Sequence, residues 1–463
     1  MKPLTCFKAY DLRGRLGEEL NEDIAERVGR AFGQHMNPRR VAVGWDARPS
    51  SPSLAAAVKE GLRQAGTEVL DLGLAGTEEI YFAAFSQNLG GGLAVTGSHN
   101  PLTDNGIKFI GRGARPLSDG DFSAIRNLAE SGCFNPVSTH GVLLQADFRA
   151  EYIEHLLSYI SPQKLPPLKI LLNPGHGTAG PVLTLLEEGL AAGGAAIEFI
   201  KIGYEPDGTF PLGLPNPLLP ENRTHTAEAV RRNGADLGLA WDGDFDRCFF
   251  FDEQGTFIEG YYLVGLLAET FLEKHPGAAI IHDPRLIWNT IDLVNRAGGR
   301  PVVSKTGHAF MKAAMREAEA VYGGEMSAHH YFADFGFCDS GMIPWLLVLE
   351  FLGRKRGSLS GLVAERQAKF PCSGELNYRV ADGTALLAAV ESRYGRSAIN
   401  AERLDGLSLE MPEWRFNLRL SNTEPLIRLN LESRGQPDLV AEKTAELEAM
   451  IMTFGMYQRF PSS

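Results

Sequence analysis

The chain has 463 residues, 44% of them hydrophobic and 22% charged, with a formal net charge of −12 and a sequence pI near 5.5. That length is more than one compact core organises and implies three or four domains. The composition excludes a disordered chain, and the acidic balance excludes the basic face that binds nucleic acid. A protein this acidic that handles phosphates must gather positive charge locally. Cys6, Cys133, Cys248, Cys338 and Cys372 are widely spaced, include no C-x-x-C pair, and read as reduced thiols rather than a disulfide frame or zinc site. The first residues, Met1–Lys8, lack the apolar run of a signal peptide, and no stretch reaches the length of a membrane span. The expectation is a cytoplasmic protein with neither membrane nor nucleic acid as partner, acting as a monomer or homodimer.

Phe7–Gly14 reads as a short extended segment ending at a glycine, and a helix is expected over Glu22–Phe32 from its apolar spacing. A pattern then repeats three times. Strand-like runs Val41–Gly44, Glu68–Leu72 and Gly92–Val95 alternate with helix-like stretches such as Ser53–Ala65. The second round has Lys169–Leu172, Ile197–Ile200 and Leu237–Ala240; the third has Ala279–His282, Pro301–Ser304 and Ala320–Tyr322. Such alternation predicts βαβ units and mainly parallel sheets. The last strand of each round opens into a polar loop: Thr96–Pro101, Trp241–Arg247 and Gly323–His330. Open α/β sheets bind ligands outside the carboxyl ends of their strands, so these loops are expected to serve one cleft. The segment His140–Phe148, a helix over Arg149–Ile160 and the proline-rich Pro162–Pro167 separate the first two rounds. The hairpin-like Phe249–Ile258 precedes the third. Past Lys369–Pro371 the pattern stops. A helix (Thr384–Tyr394), strands (Leu407–Met411, Arg415–Leu420, Leu426–Glu432) and a last helix (Leu439–Met452) then predict a smaller α+β domain. The expected fold is three similar mixed or parallel α/β domains, 1–145, 146–250 and 251–368, followed by an α+β domain over 369–463.

Four loops carry the chemistry. In Thr96-Gly97-Ser98-His99-Asn100-Pro101 a proline stops the strand, and a serine and histidine at its lip would present a nucleophile. The plainer alternative is a serine that satisfies backbone groups of the turn. Asp242-Gly243-Asp244-Phe245-Asp246-Arg247 sets three carboxylates at alternating positions, able to point at one hard cation. An EF-hand is excluded, because its sixth position is Arg247 rather than glycine and Cys248–Phe251 reads as a strand. Acids this close repel unless a cation lies among them, which favours a metal over a solvated acidic turn. Oxygen donors alone favour magnesium, completed by a phosphate-bearing ligand, with Arg247 placed to hold a transferring phosphoryl group.

In the third loop, Glu325 and Ser327 would face one side if extended and suit neighbouring sugar hydroxyls. His329 and His330, being adjacent, would point apart and make a poor metal pair. Thr306-Gly307-His308 ends the preceding strand and offers a further donor. Arg419, Ser421, Asn422 and Thr423 form a donor cluster that cradles a phosphate, unless they are an ordinary hairpin loop. Lys108, shortly after the serine loop, is either a surface charge or an acid or base with a shifted pKa.

Taken with Lys8-Ala9-Tyr10-Asp11-Leu12-Arg13-Gly14, these loops in this order resemble the α-D-phosphohexomutase superfamily and, within it, the bacterial phosphomannomutases, over essentially the whole chain. The resemblance implies four domains around a central cleft, the last mobile and phosphate-binding. It implies that Ser98 carries a phosphoryl group and that Asp242, Asp244, Asp246 and that phosphate bind Mg²⁺. It assigns Glu325 and Ser327 to sugar hydroxyls and Arg419, Ser421, Asn422 and Thr423 to the non-reacting phosphate. Tyr10, Arg13, Lys108, His308 and His329 would line the cleft, with Lys108 and His329 as proton-transfer candidates and His99 supporting the serine. The implied reaction interconverts hexose 6- and 1-phosphates through a hexose 1,6-bisphosphate, which also serves as activator, and feeds GDP-mannose and surface polysaccharide synthesis. Gly97, Phe245 and Glu424 depart from the commoner alanine, glycine and threonine of the family. The rival readings are a dual mannose/glucose mutase, a metal-dependent sugar phosphatase and a non-catalytic sugar-phosphate sensor.

Overall fold

Each round of the sequence repeat folds with one strand order in the computed structural model, which describes residues 3–420, 426–455 and 459–460. The first strand of each round lies between the second and the third. Arg40–Trp45 is flanked in parallel by Glu68–Leu74 and Gly92–Val95. Leu168–Asn173 lies between Ile197–Lys201 and Leu237–Trp241. Ala279–His282 is flanked in parallel by Arg300–Val303 and Tyr322–Gly324. That last strand runs two residues further towards its loop than the expected Ala320–Tyr322. Gly323 and Gly324 read as loop, yet they are strand residues pressed against neighbours: a Cβ on Gly324 would lie 2.7 Å from Val264 Cγ2.

By its internal contacts the chain divides into two units. One comprises Met1–Pro217, Gly238–Cys248 and Phe332–Gly353; the other comprises Leu218–Leu237, Phe249–Tyr331 and Arg354–Ser463.

In the first unit a six-stranded sheet runs in the order Asp11–Arg15, Asp104–Ile110, Gly92–Val95, Arg40–Trp45, Glu68–Leu74, Leu143–Gln145. Its first two strands are the antiparallel part of a sheet whose other three pairings are parallel, as a mixed but mainly parallel sheet is expected to be. Asp104–Ile110 returns antiparallel to Gly92–Val95, and Asp11–Arg15 pairs antiparallel to it with Asp11 opposite Lys108. The connection through the serine loop is too short for the crossover that parallel strands require, so the chain must turn straight back. Helices Glu22–Met36 and Ser51–Gln64 cover this sheet and touch where each carries a glycine. A Cβ on Gly61 would lie 1.9 Å from the Glu26 carbonyl oxygen, and one on Gly29 would lie 2.3 Å from that of Val58.

In the second unit the C-terminal sheet is antiparallel throughout, ordered Asn400–Glu402, Leu407–Glu410, Trp414–Leu420, Leu426–Ser433, Cys372–Arg379, Arg459–Phe460. Helices Gly383–Tyr394 and Pro437–Met452 pack over it through Leu386, Val390 and Leu447. The α+β character expected here is present, with one further central strand, Cys372–Arg379. Helices Gly260–Lys274 and Ile343–Lys355 are apolar on nearly every face, which is why no amphipathic period announces them. Among the described residues no helix is long and apolar enough to cross a membrane.

The crossing at Gly61 sets two effects against each other. Alanine is favoured over glycine in a helix by about 1 kcal/mol, whereas forcing a methyl into closed packing costs about 1–3 kcal/mol. The Cβ here would meet backbone, which has little room to yield, so Gly61→Ala is expected to lower stability by about 1–2 kcal/mol in urea denaturation.

Candidate active site

The serine loop is built on a buried pair that motif reading missed. Asp46 ends the strand beside the one that bears the loop, and its carboxylate accepts from Thr96 Oγ1 at 2.8 Å and from the Gly97 N–H at 2.9 Å. Arg48, 1% exposed, donates to the carbonyls of Pro101 (2.8 Å), Asp104 (3.1 Å) and Ser98 (3.0 Å), and also to that of Asn100. One guanidinium thus holds the loop by four carbonyl oxygens. This support keeps Ser98 at φ 47°, a left-handed conformation that costs a non-glycine residue about 1–2 kcal/mol.

The same device recurs in the repeat. Asp283 is the counterpart of Asp46: its carboxylate accepts from the Arg285 N–H at 2.9 Å, as Asp46 does from Arg48 at 3.0 Å, and from the Met326 N–H of the third loop at 2.7 Å. Asn173 makes the corresponding turn in the second round, accepting from the Gly175 N–H at 3.0 Å. The Asp-x-Arg spacing after the first strand of rounds one and three was the available signal.

The structure brings Ser98, His99, Lys108, Arg247 and the three aspartates together. Ser98 Oγ lies 3.0 Å from His99 Nδ1 and donates to Asp242 Oδ2 at 3.2 Å. Asp242, Asp244 and Asp246 are 0%, 0% and 3% exposed, which removes the solvated-turn reading. Lys108 Nζ donates to Asp244 at 2.6 Å and to Asp246 at 2.5 Å, and Arg247 Nε donates to Asp242 at 2.8 Å. Lys108 is therefore no surface charge. Burial works to lower its pKa, but Asp244 and Asp246 outweigh burial and push it up, so it stands as a charged donor. Burial and the Arg247 charge hold His99 well below its ordinary pKa, as a neutral imidazole. Arg13, on the adjoining strand, pairs with Asp11 at 3.0 Å, and Tyr10 lies half-buried at the bend before that strand.

Phe245 also takes a left-handed conformation, φ 47°, where glycine is easier. Its ring occupies the space over Gly76, where a Cβ would lie 2.0 Å from the ring edge. The large residue in the aspartate loop is matched by the absence of a side chain opposite.

The cluster fits a hard divalent cation. Ligand oxygens of Asp242, Asp244 and Asp246 all lie within 4.8 Å of one another, and Asp244 Oδ1 is buried with no hydrogen-bond partner among the described residues. Asp242 is pushed up to about 8 by burial, with the neighbouring carboxylates adding to this against the pull of Arg247. Three buried oxygens with no nitrogen or sulfur ligand suit magnesium.

In the second unit the segment after Tyr322–Gly324 is a turn, so the condition of an extended chain is not met there: the Ala328 N–H donates to the Glu325 carbonyl at 3.1 Å, and Ala328 has φ 69°. Glu325 is buried, accepting from the Gly307 N–H at 2.9 Å and from Tyr331 Oη at 2.6 Å. Ser327 Oγ is 3.3 Å from Arg285 and 3.3 Å from His329 Nδ1. His329 is half-buried, whereas His330 is fully buried against Tyr322 Oη at 2.7 Å, so the two imidazoles do point apart. His308 opens the helix His308–Glu317. Arg419 lies buried on Trp414–Leu420, 3.2 Å from Glu375; Ser421, Asn422 and Thr423 lie outside the described residues, as does Glu424.

Family profiles for phosphoglucomutase/phosphomannomutase α/β/α domains I, II and III match residues 5–135, 150–255 and 259–370, and the C-terminal domain profile matches 375–450. The chain belongs to this family, the α-D-phosphohexomutases, a class of isomerases. It is 58% identical to a phosphomannomutase of Salmonella typhimurium over 97% of this chain and 100% of that one. It is 50% identical to a protein of Xanthomonas campestris named phosphohexose mutases, over 97% and 99% of the two chains. The structure of a phosphoglucomutase/phosphomannomutase family protein from Burkholderia thailandensis matches with a TM-score of 0.87 at 30% identity, covering 100% of both chains.

Replacing Arg48 by methionine would leave Asp46 buried without its cation and release four carbonyls. Breaking a buried pair from one side costs about 3–5 kcal/mol. Arg48→Met is therefore expected to lose about 3 kcal/mol or more in chemical denaturation, and to lose activity under conditions where it remains folded.

Proposed function

We propose that this protein is a phosphomannomutase that interconverts mannose 6-phosphate and mannose 1-phosphate through a phosphoserine at Ser98 and a hexose 1,6-bisphosphate. The observation that carries the reading is Ser98 Oγ placed 3.0 Å from His99 and 3.2 Å from Asp242, in one buried cluster with Lys108 and Arg247. The relatives named phosphomannomutase, 52–58% identical over nearly the whole chain, support mannose phosphate as substrate. The domain limits read from the sequence, a cytoplasmic location and supply of GDP-mannose for polysaccharide synthesis belong to the same reading.

In the first step a sugar hydroxyl oxygen bonds to the phosphorus of phospho-Ser98 while the P–Oγ bond breaks. The proton released by the hydroxyl is balanced by the one Ser98 Oγ regains. His99, a neutral imidazole 3.0 Å from Ser98 Oγ, supports the serine, and Lys108 stands with His329 as a candidate for proton transfer. Arg247 and Lys108 supply fixed positive charge around the reacting oxygens. Asp242, Asp244, Asp246 and the serine phosphate would hold Mg²⁺, whose contribution is charge neutralisation on the phosphoryl oxygens. The bisphosphate then turns and returns its other phosphate to Ser98. Glu325 and Ser327 are assigned to O3 and O4, which roughly exchange places on turning. His329 is assigned to proton transfer, Tyr10, Arg13 and His308 to the lining, and Arg419 with Ser421, Asn422 and Thr423 to the non-reacting phosphate.

The Xanthomonas relatives named for hexoses at large favour a second reading, a mutase serving both mannose and glucose phosphates. Conversion of mannose 1-phosphate and glucose 1-phosphate, measured side by side with Mg²⁺ and a trace of bisphosphate, separates the two. A strong mannose preference is expected, and equal rates would establish dual specificity. Phosphate release without isomer would overturn the mutase reading.

Ser98→Ala is expected to lose turnover by about 10⁴-fold or more, with its circular dichroism and melting close to those of the parent. Treatment with EDTA should abolish turnover and added Mg²⁺ should restore it.

A further inference from the structure

Three guanidiniums of the second unit converge on one carboxylate. Arg285 and Arg419 approach Glu375 Oε2 at 3.3 and 3.2 Å, and Arg428 approaches Oε1 at 3.3 Å. The side chains of Arg285, Arg419, Arg428 and Glu375 are only 3%, 8%, 16% and 9% exposed. As a structural ion pair this arrangement is poor. Arg419 and Arg428 stand directly opposite one another on neighbouring antiparallel strands, where like charges destabilise a sheet. All three contacts exceed the roughly 2.7–2.9 Å of a well-formed charge-assisted hydrogen bond. Three guanidiniums share the two oxygens of this one carboxylate.

Arg285 has a second anchor, since Asp283 accepts from its Nε at 3.1 Å and from its second terminal nitrogen at 2.9 Å. Its guanidinium also reaches Ser327 Oγ at 3.3 Å. It therefore lies between Ser327, assigned to sugar hydroxyls, and Glu375, the carboxylate it shares with Arg419, assigned to phosphate, and Asp283 anchors it independently of Glu375. Burial works to raise the Glu375 pKa, but the three guanidiniums outweigh it and hold the carboxylate below its ordinary range, so it remains an anion.

We infer that Glu375 is a resident anion that competes with the substrate's non-reacting phosphate for Arg285, Arg419 and Arg428. The inference rests on the mutase reading and on the assignment of that phosphate to Arg419. With the subsite empty, Glu375 keeps three like charges gathered in phosphate-binding geometry. As the phosphate leaves, the carboxylate takes the guanidiniums back. A mutase has particular need of this, because its bisphosphate must let go of the phosphate subsite once in every cycle in order to turn. Binding that is equally strong in every state lowers KM without raising kcat, and here it would slow the release on which turnover depends. Glu375 is thus a positioning residue that loosens the grip rather than one that touches the reacting atoms.

The full-length Glu375→Gln, Glu375→Asp and Arg419→Met proteins test this by calorimetric titration with inorganic phosphate and by steady-state kinetics. Glu375→Gln is expected to bind phosphate about tenfold more tightly, as removal of a buried competing charge allows, and to show KM and kcat falling together. Glu375→Asp withdraws the carboxylate by one methylene and should move both quantities the same way by a smaller factor, which carries the test if the glutamine variant does not fold. Unchanged or weaker phosphate binding with a raised KM in the Glu375 variants, alongside weakened binding in Arg419→Met, would overturn the role of Glu375 and leave the subsite standing. Undiminished phosphate affinity in Arg419→Met would remove the subsite, and the inference with it.

Discussion

Three carboxylates crowded into a buried loop are the constraint around which the first unit is arranged. Two unit charges about 4 Å apart repel by about 4 kcal/mol even at an effective dielectric constant of 20, so Asp242, Asp244 and Asp246 require cations. Lys108 and Arg247 supply them from within the chain, at 2.5 to 2.8 Å. Lys108 arrives only because the strand after the serine loop doubles back antiparallel and carries it inward. The ion pairs therefore tie the loop that bears the nucleophile to the loop that bears the acids. Removing Lys108 would disturb both. Asp244 Oδ1 keeps no hydrogen-bond partner among the described residues, which leaves a buried oxygen that a divalent ion would fit.

Buried charge organises the second unit in a different way. Asp283 fixes Arg285 from two sides and holds the loop of Glu325 through the Met326 N–H. Glu432, fully buried, accepts from Arg415 at 2.9 Å and from the Ile287 N–H at 2.8 Å. The strands of the C-terminal sheet are thereby joined to the loop that follows Ala279–His282. Side chains in such networks have few alternative partners, so the chemistry-bearing loops inherit rigid supports. The cluster at Glu375 is the exception: its contacts are long, and three guanidiniums share one carboxylate.

How far the sequence could be read depends on what each signal reports. The repeat was legible because alternating apolar runs record burial on parallel strands, and the three motif loops followed from strand ends. Lys108 was not legible as a buried group, because nothing local in Asn105–Lys108 reveals that the strand turns back. Asp46 and Arg48 escaped because their work is to support other residues, and only the comparison with Asp283 and Arg285 brings out the shared spacing. The loop at Glu325–Ser327 was legible as a loop, but not its turn, in which Ala328 is left-handed without being a glycine. Helices Gly260–Lys274 and Ile343–Lys355 lacked a polar face to mark their period. Phe245 read as a departure in isolation, whereas its match is Gly76, far away in the chain.

The central claim is that Ser98 passes a phosphoryl group to sugar and takes one back. The direct measurement is peptide mapping by mass spectrometry after incubation with hexose 1,6-bisphosphate, repeated after a chase with excess mannose 6-phosphate. The account predicts phosphate on the Ser98 peptide alone, discharged by the chase with formation of bisphosphate. Phosphate on another residue, or discharge to water as inorganic phosphate, would contradict it.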